Sequence, residues 1–390
     1  MIKLKKISVL LLMIIFNIVI FDACWDNKDL TEKAFVTAVG IDRTSEGKVQ
    51  LTLQIVKPTV MKAGEQGAPE EEAFWAFTTT GDTIFEAVKN QMITINRKPF
   101  YNHADLMVIG EEFARNGIME ALDFWERNHE PRLGSDIIIA KGTTAEEILK
   151  AKSDLEEIPS IHIKSILKNN KELAKIKKVT IIDVLRCLIQ PGISPAIGAI
   201  EVVKKEKVQK IENMKIDSTA VFKEDKLVGW LNAAQTRGLL FIQDEVKNAV
   251  YNVENPLDES KKVAIEIVNS NGKIDAKIVD GKLVLLIEVK ATGNIADQQG
   301  NGDLTTKEKK LSKEVEKAIK MDIQDALNIV QRKYKSDIFG FGEVVYRKHL
   351  NYWKQVKDDW LDIFSNAPVE VNVEVKVKGT GIIGKPSKIK

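Results

Sequence analysis

Cysteine and histidine are scarce in this chain of 390 residues, with two of the first and four of the second. Two cysteines, Cys24 and Cys187, are too few for a disulfide framework. His103, His129, His162 and His349 show no i, i+4 pairing, and no Cys-x-x-Cys stands near them, so a zinc site has no local support. Neither a Gly-x-Ser-x-Gly elbow nor a Gly-x-x-x-x-Gly-Lys-Ser/Thr loop occurs, which removes the commonest serine-hydrolase and phosphate-loop signatures. The many carboxylates include no pair whose spacing marks an acid/base couple. Charge of one sign is also missing. Lys and Arg number 58 against 56 Asp and Glu, and no polybasic block invites nucleic acid or anionic polymer. One formal dinucleotide fingerprint is present, Gly379-Thr380-Gly381-Ile382-Ile383-Gly384. It needs a helix N-terminus to receive a pyrophosphate, and the residues after it, with Pro386, supply none. Catalytic, cofactor-binding and metal residues are therefore not predicted, and a non-enzymatic chain is expected.

Only one long apolar run exists, and it lies at the N-terminus. Lys3, Lys5 and Lys6 precede the apolar residues 7–21, interrupted by Ser8 and Asn17, and Asp22-Ala23 lead to Cys24. This is the layout of an export signal ending in a lipidatable cysteine. A helix over that run covers about 22 Å at ~1.5 Å per residue, short of the ~30 Å hydrocarbon core, so a cleaved signal over residues 1–23 is predicted rather than a span. Phe21 and Asp22 differ from the Leu and small residue usual before the cut, while Ala23 suits it. An uncleaved anchor, or a cut elsewhere, are the alternatives. If Cys24 is modified, a diacylglyceryl thioether and acyl chains such as palmitate give stable anchoring where one chain would be marginal. Loss of residues 1–23 takes away three lysines and one aspartate and brings the formal charge from +2 to 0. Acylated Cys24 leaves Cys187 no partner, and Cys187, in the apolar-rich stretch 179–189, reads as a small buried hydrophobe.

Beyond the signal, period-2 alternation at 49–55 and an apolar run at 35–41 predict a hairpin. Residues 61–72 read as an exposed loop. Strands at 73–80, 104–109 and 136–140 interleave with helices at 83–94, 111–127 and 145–152, the first capped by Asp82 or Gly81. Further helices at 160–175 and 179–189 end at Pro191, Gly192 and Pro195. Residues 219–231 form two apolar runs around a polar turn, followed by a short helix and strand over 232–253. From 263 to 292 the pattern is a three-stranded meander with tight turns at Asn271-Gly272 and Asp280-Gly281. Then come a helix striped by Leu311, Val315, Ile319, Ile323, Leu327 and Val330, a second long helix bearing Tyr346, Trp353, Trp360 and Phe364, and a strand alternating from Val369 to Val377. An α+β fold in three domains is expected, each a mainly antiparallel or mixed β-sheet packed with α-helices. The divisions are 24–200, an N-terminal α/β domain; 201–258, a small middle domain; and 259–390, an antiparallel sheet with two long helices.

The stretch Cys24-Trp25-Asp26-Asn27-Lys28-Asp29-Leu30 resembles the mature start of the spore germination receptor C-subunit lipoproteins, the Ger(x)C family. Further likeness follows in order: Ala38-Val39-Gly40-Ile41-Asp42, Leu53 to Pro58, Ala220-Val221-Phe222-Lys223, Leu227 to Leu231, and Asp337-Ile338-Phe339-Gly340-Phe341-Gly342 before Trp353 and Trp360. The resemblance implies a three-domain lipoprotein on the outer face of the spore inner membrane. It would act without catalysis, beside integral membrane A- and B-type subunits of a nutrient germinant receptor. Trp25 and Asp26, next to the anchor, are candidate partner contacts. A lipid-anchored solute-binding protein is the alternative and an extracytoplasmic hydrolase the third class.

Overall fold

The apolar run and the alternating run of the first hairpin become β1 (Lys33–Arg43) and β2 (Val49–Val56), antiparallel, with Ile41 opposite Leu51. The computed structural model describes residues 32–57, 72–128, 130–151, 155–203 and 213–379. β3 (Phe74–Gly81) extends the hairpin on one side, and β4 (Lys98–Phe100) lies parallel to the start of β1. On the other side β5 (Leu106–Ile109) and β6 (Asp136–Ala140) run parallel to β1, with the short β7 (Val179–Thr180) against β6. β8 (Ala196–Val203) continues the sheet, and β9 (Asn213–Lys223) and β10 (Lys226–Leu231) close it as an antiparallel hairpin. Its path order is β10-β9-β8-β6-β5-β1-β2-β3.

Central strands buried on both faces are largely apolar, which is why β5 reads Leu-Met-Val-Ile and β6 reads Ile-Ile-Ile-Ala after its first residue, Asp136. One face of the sheet, through Val39, Ile41, Met107 and Ile109, packs under α1 (Ile84–Gln91), α2 (Glu111–Asn116) and α3 (Met119–Arg127). The opposite face, through Ala38, Leu106, Val108 and Ile138, packs under α4 (Ala145–Lys150) and α5 (Pro159–Lys168). Each fully buried large aliphatic or aromatic side chain contributes about 1.5–3 kcal/mol. α6 (Ile181–Ile189) adds Ile181, Val184 and Leu185 to the first face.

Two local readings need correction here. The single helix expected at 111–127 is broken at Gly117, whose φ is +129°. The β9–β10 turn reaches across to that break: Ile118 N–H donates to the Asp225 carbonyl at 2.9 Å and Met119 N–H to its carboxylate at 3.2 Å. A side chain on Gly117 would strike that carboxylate. α1 is capped by Thr83, not by Asp82 or Gly81. Its hydroxyl accepts Glu86 N–H at 3.1 Å while the Glu86 carboxylate accepts Asp82 N–H at 2.7 Å, the two-way exchange of a capping box shifted by one residue.

The second sheet has the order β11 (Ala249–Asn255), β12 (Asp258–Val279), β13 (Lys282–Gln298), β14 (Val369–Val377). Residues 201–258, set apart in the sequence, thus give β9 and β10 to the large sheet and β11 to the small one. They are joined by α7 (Ala233–Ile242). Asp280-Gly281 is a tight turn with both φ positive, but Asn271-Gly272 is not a turn. It continues β12, opposite Lys290 and Val289, because the Asp244 carboxylate takes Gly272 N–H at 2.8 Å and the strand passes against the Phe241 carbonyl at the end of α7. A side chain on Gly272 would occupy that carbonyl's space.

β14 runs parallel to β13, so this sheet is mixed rather than antiparallel. A parallel neighbour requires a long crossover, and residues 299–368 provide it. α8 (Glu308–Asn328) crosses the dry face with Leu311, Val315, Ile319 and Ile323 buried, and it ends in a π-turn over Ile329–Tyr334. The second long helix is three: α9 (Phe341–Lys348), α10 (Leu350–Val356) and α11 (Trp360–Asn366). Bends between them stack Trp353, Trp360 and Phe364 with Phe341 in one aromatic cluster. Glu370, Asn372, Glu374 and Lys376 form the wet face of β14 as the alternation requires.

Candidate functional site

Cys24, Trp25 and Asp26 lie outside the described residues, as do His129 and the fingerprint beyond Gly379. The described chain starts at Glu32, and Lys33 stands opposite Lys98 in the β1–β4 register. Nine residue steps separate Cys24 from Lys33, at most about 32 Å of fully extended chain. The described chain thus begins at the end of the large sheet that holds β4. Phe35, Phe100 and His103 pack together there at ring distances of 5.8–6.0 Å, and the Lys33 ammonium lies 4.5 Å from the Phe100 ring.

The histidines take unrelated positions. His103 is exposed beside those rings, His162 sits on α5, and His349 meets the Ala276 carbonyl at 3.0 Å. Among the described residues no three His, Cys, Asp or Glu side chains gather into a metal-holding group. Cys187 is half-buried, and burial pushes its thiol pKa up, away from the reactive thiolate.

Two motifs quoted for the family likeness are packing nodes. Asp42, at the end of Ala38-Val39-Gly40-Ile41-Asp42, is buried and accepts Ala145 N–H at 2.8 Å and Glu146 N–H at 3.0 Å, so it holds the N-terminus of α4. Burial raises its pKa to about 6 against these donors. Asp337 is fully buried. One carboxylate oxygen accepts N–H bonds from Phe339, Gly340 and Phe341, and the other accepts from Gly342 at 2.7 Å and from the Trp360 indole at 3.2 Å. Its pKa is likewise raised to about 6 by burial. Its carbonyl accepts Ser194 N–H at 2.8 Å, which ties the breaker segment after α6 to the α9 loop. A third node joins α7, β11 and α8: Arg237 Nε and the Tyr251 hydroxyl both donate to Asp322 Oδ2 at 2.6 Å, and the guanidinium lies 4.2 Å over the Tyr251 ring. Each carboxylate is spent on donors that fix backbone or neighbouring helices, so these nodes set shape and leave nothing aimed at a substrate.

An apolar feature open to a ligand or partner is a groove of about 640 Å³ between α1, α3 and β4. Phe85, Val88, Met92, Pro99 and Phe124 line its apolar part, and its rim is ion-paired. Lys98 meets Glu130 at 3.1 Å, Arg127 meets Asp123 at 2.8 Å, and Glu120 is held by Arg43 at 3.0 Å. Sequence reasoning passed over this groove. Its signal was legible in α1, where Ile84, Ala87 and Gln91 make the buried stripe and Phe85, Val88 and Met92 make a second apolar stripe.

Fold and groove define a multi-domain α+β protein built on two sheets, with an apolar groove on one helical face of the larger. Comparison with known proteins makes this particular. Residues 26–202 match the family described as spore germination protein N-terminal domain, and residues 217–381 the one described as Spore germination B3/ GerAC like, C-terminal. Spore germination protein KC of Bacillus subtilis (strain 168) is 27% identical over 97% of both chains. Spore germination protein B3 of the same organism is 28% identical over 95% of this chain and 97% of its own. The crystal structure of the GerBC protein superposes with a TM-score of 0.55 at 24% identity, covering 90% of this chain and 99% of that one, and so shares the fold. The chain belongs to the Ger(x)C family of spore germination proteins.

Proposed function

We propose that this chain is the non-catalytic, lipid-anchored subunit of a spore nutrient germinant receptor, tethered through Cys24 to the outer face of the spore inner membrane. It would act there with integral membrane A- and B-type subunits, with Trp25 and Asp26 at the contact nearest the anchor. The observation that carries this reading is the match of both halves, in order, to spore germination proteins. The signal and Cys24 supply the means: two acyl chains confine the folded body to a plane and raise its effective concentration toward membrane partners without a tight solution interface. A solute-binding protein would present two similar α/β lobes around a cleft. The large sheet and the four-stranded one differ in size and strand order, which favours the receptor reading.

The test is nutrient-triggered germination of host spores carrying Cys24→Ala or a complete deletion, with calcium dipicolinate as a stimulus that bypasses nutrient receptors. Both strains should fail with nutrients and respond to the bypass. Failure of the deletion alone would keep the receptor role and dispense with lipidation. Normal nutrient germination in a deletion strain also cleared of its other nutrient receptors would overturn the reading.

A further inference from the structure

We infer that the face formed by α1 and β4 seats on the headgroup region of an anionic lipid bilayer, with Phe85, Met92 and Ile93 inserted and Lys33, Lys89, Arg97 and Lys98 against lipid phosphates. The inference rests on the Cys24 tether proposed above. Its first support is exposure. Phe85 is 61% exposed, Met92 62% and Ile93 83%, all on one helix and the turn that follows it. A helix apolar on two sides has one side packed on the sheet and one side without cover.

Charge is the second support. Between Thr83 and Tyr101 the cations Lys89, Arg97 and Lys98 face a single acid, Glu86, whose carboxylate already accepts Asp82 N–H. Lys33 adds a fourth cation from β1. Lys89 lies 5.1 Å over the Phe85 ring, so ammonium and ring present together, the arrangement of a side chain that reaches phosphate while its apolar neighbour sinks. The acids of the facing wall, Glu120, Asp123 and Glu130, each hold a cation, and the exposed Lys98–Glu130 pair costs little to exchange for a phosphate.

Position is the third support. Lys33, the second described residue, lies beside Lys98, so the described chain begins at the rim of this face. A tether of at most about 32 Å keeps that rim near the bilayer. Exposed apolar side chains flanked by lysine and arginine beside a lipid anchor are the second membrane signal that an acylated protein uses.

The experiment uses the full lipidated chain in vesicles of mixed phosphatidylglycerol and phosphatidylcholine with brominated acyl chains. Ile93→Cys in a Cys187→Ala background carries a bimane label, and Val279→Cys, 52% exposed on the β12–β13 turn, is the control. Bimane emission at 93 should fall about twofold or more while that at 279 stays unchanged, the difference between a shallowly inserted and a solvated side chain. Lys33→Gln, Arg97→Gln and Lys98→Gln together should weaken quenching at 93 in the anionic vesicles and leave flotation intact. A chain that fails to float overturns the tether and this inference with it. A floating chain whose label at 93 is unquenched overturns the inference alone. Shielding from aqueous iodide only when the membrane holds other spore proteins would assign the face to a protein neighbour instead.

Discussion

At the Asp337 loop the chain turns its polar groups inward, whereas along α1 it turns apolar groups outward. Four backbone N–H groups and an indole converge on one carboxylate at the first place, and Gly192 and Gly342 touch backbone to backbone beside it. At the second, Phe85, Met92 and Ile93 face solvent beside three cations. Residues that look most like a signature, Asp337 to Gly342, are thus committed to packing. Residues that carry no signature are those free to meet another surface. The family motifs mark the shape, and the uncovered surface marks the proposed contact.

The comparison breaks most visibly if the inward node is not what holds the junction. Asp337→Ala should cost about 4 kcal/mol or more in denaturant unfolding, since it strands buried donors with no acceptor. Gly342→Ala should cost about 2–3 kcal/mol, because the new methyl would lie 2.5 Å from Gly192 Cα and 2.7 Å from Trp360 Nε1. Near-neutral values for both would mean that the loop is not the constraint its bonds suggest.

Two of the buried carboxylates, in separate nodes, set a pH dependence. Asp42 and Asp337 titrate near 6 in the fold against an ordinary 3.8, because burial disfavours their charge. Through the window from about pH 4 to 6 the folded protein therefore holds protons that the unfolded chain has released. The contribution of these two groups is full below that window and is lost as pH rises through it, the sign required when the native state binds more protons. Asp42→Asn and Asp337→Asn should each flatten that slope in urea titrations across pH 4–7. Substitutions that leave the slope unchanged would contradict burial as the cause.

A smaller effect belongs to Tyr334, whose hydroxyl donates to the Trp230 carbonyl at 2.9 Å and accepts Trp230 N–H at 3.1 Å while Gly229 packs on its ring. Tyr334→Phe should cost about 1–2 kcal/mol by loosening the π-turn from β10. Least of all, Phe85→Ser, Met92→Ser and Ile93→Ser should each leave unfolding within about 0.5 kcal/mol of the parent, as solvent-facing substitutions do. A large loss there would make the face part of the core.

How much of this could be read in advance follows the range of the forces involved. The β1–β2 hairpin, β6, the stripe of α8 and the alternation of β14 rest on local periodicity, and they stand where the pattern put them. The break at Gly117, the straight passage through Asn271-Gly272 and the parallel placement of β14 depend on partners 28 to 108 residues away, Asp225, Asp244 and β13. A dipeptide that tolerates positive φ also tolerates close approach, and the Phe241 carbonyl and the Asp244 carboxylate decide between them. The groove escaped notice for a different reason: its walls, α1, β4 and α3, meet only after folding, and its apolar residues pass locally for core.

The most direct measurement is nutrient-triggered germination of spores in which Phe85, Met92 and Ile93 are all serine, beside the parent and the deletion, each checked with calcium dipicolinate. The expected result is nutrient germination reduced toward the deletion, with a normal bypass response, unchanged unfolding of the purified chain and the same amount of chain in the membrane fraction. Parental germination in the serine variant, in a background where the deletion is impaired, would contradict the outward face as the working surface of this protein.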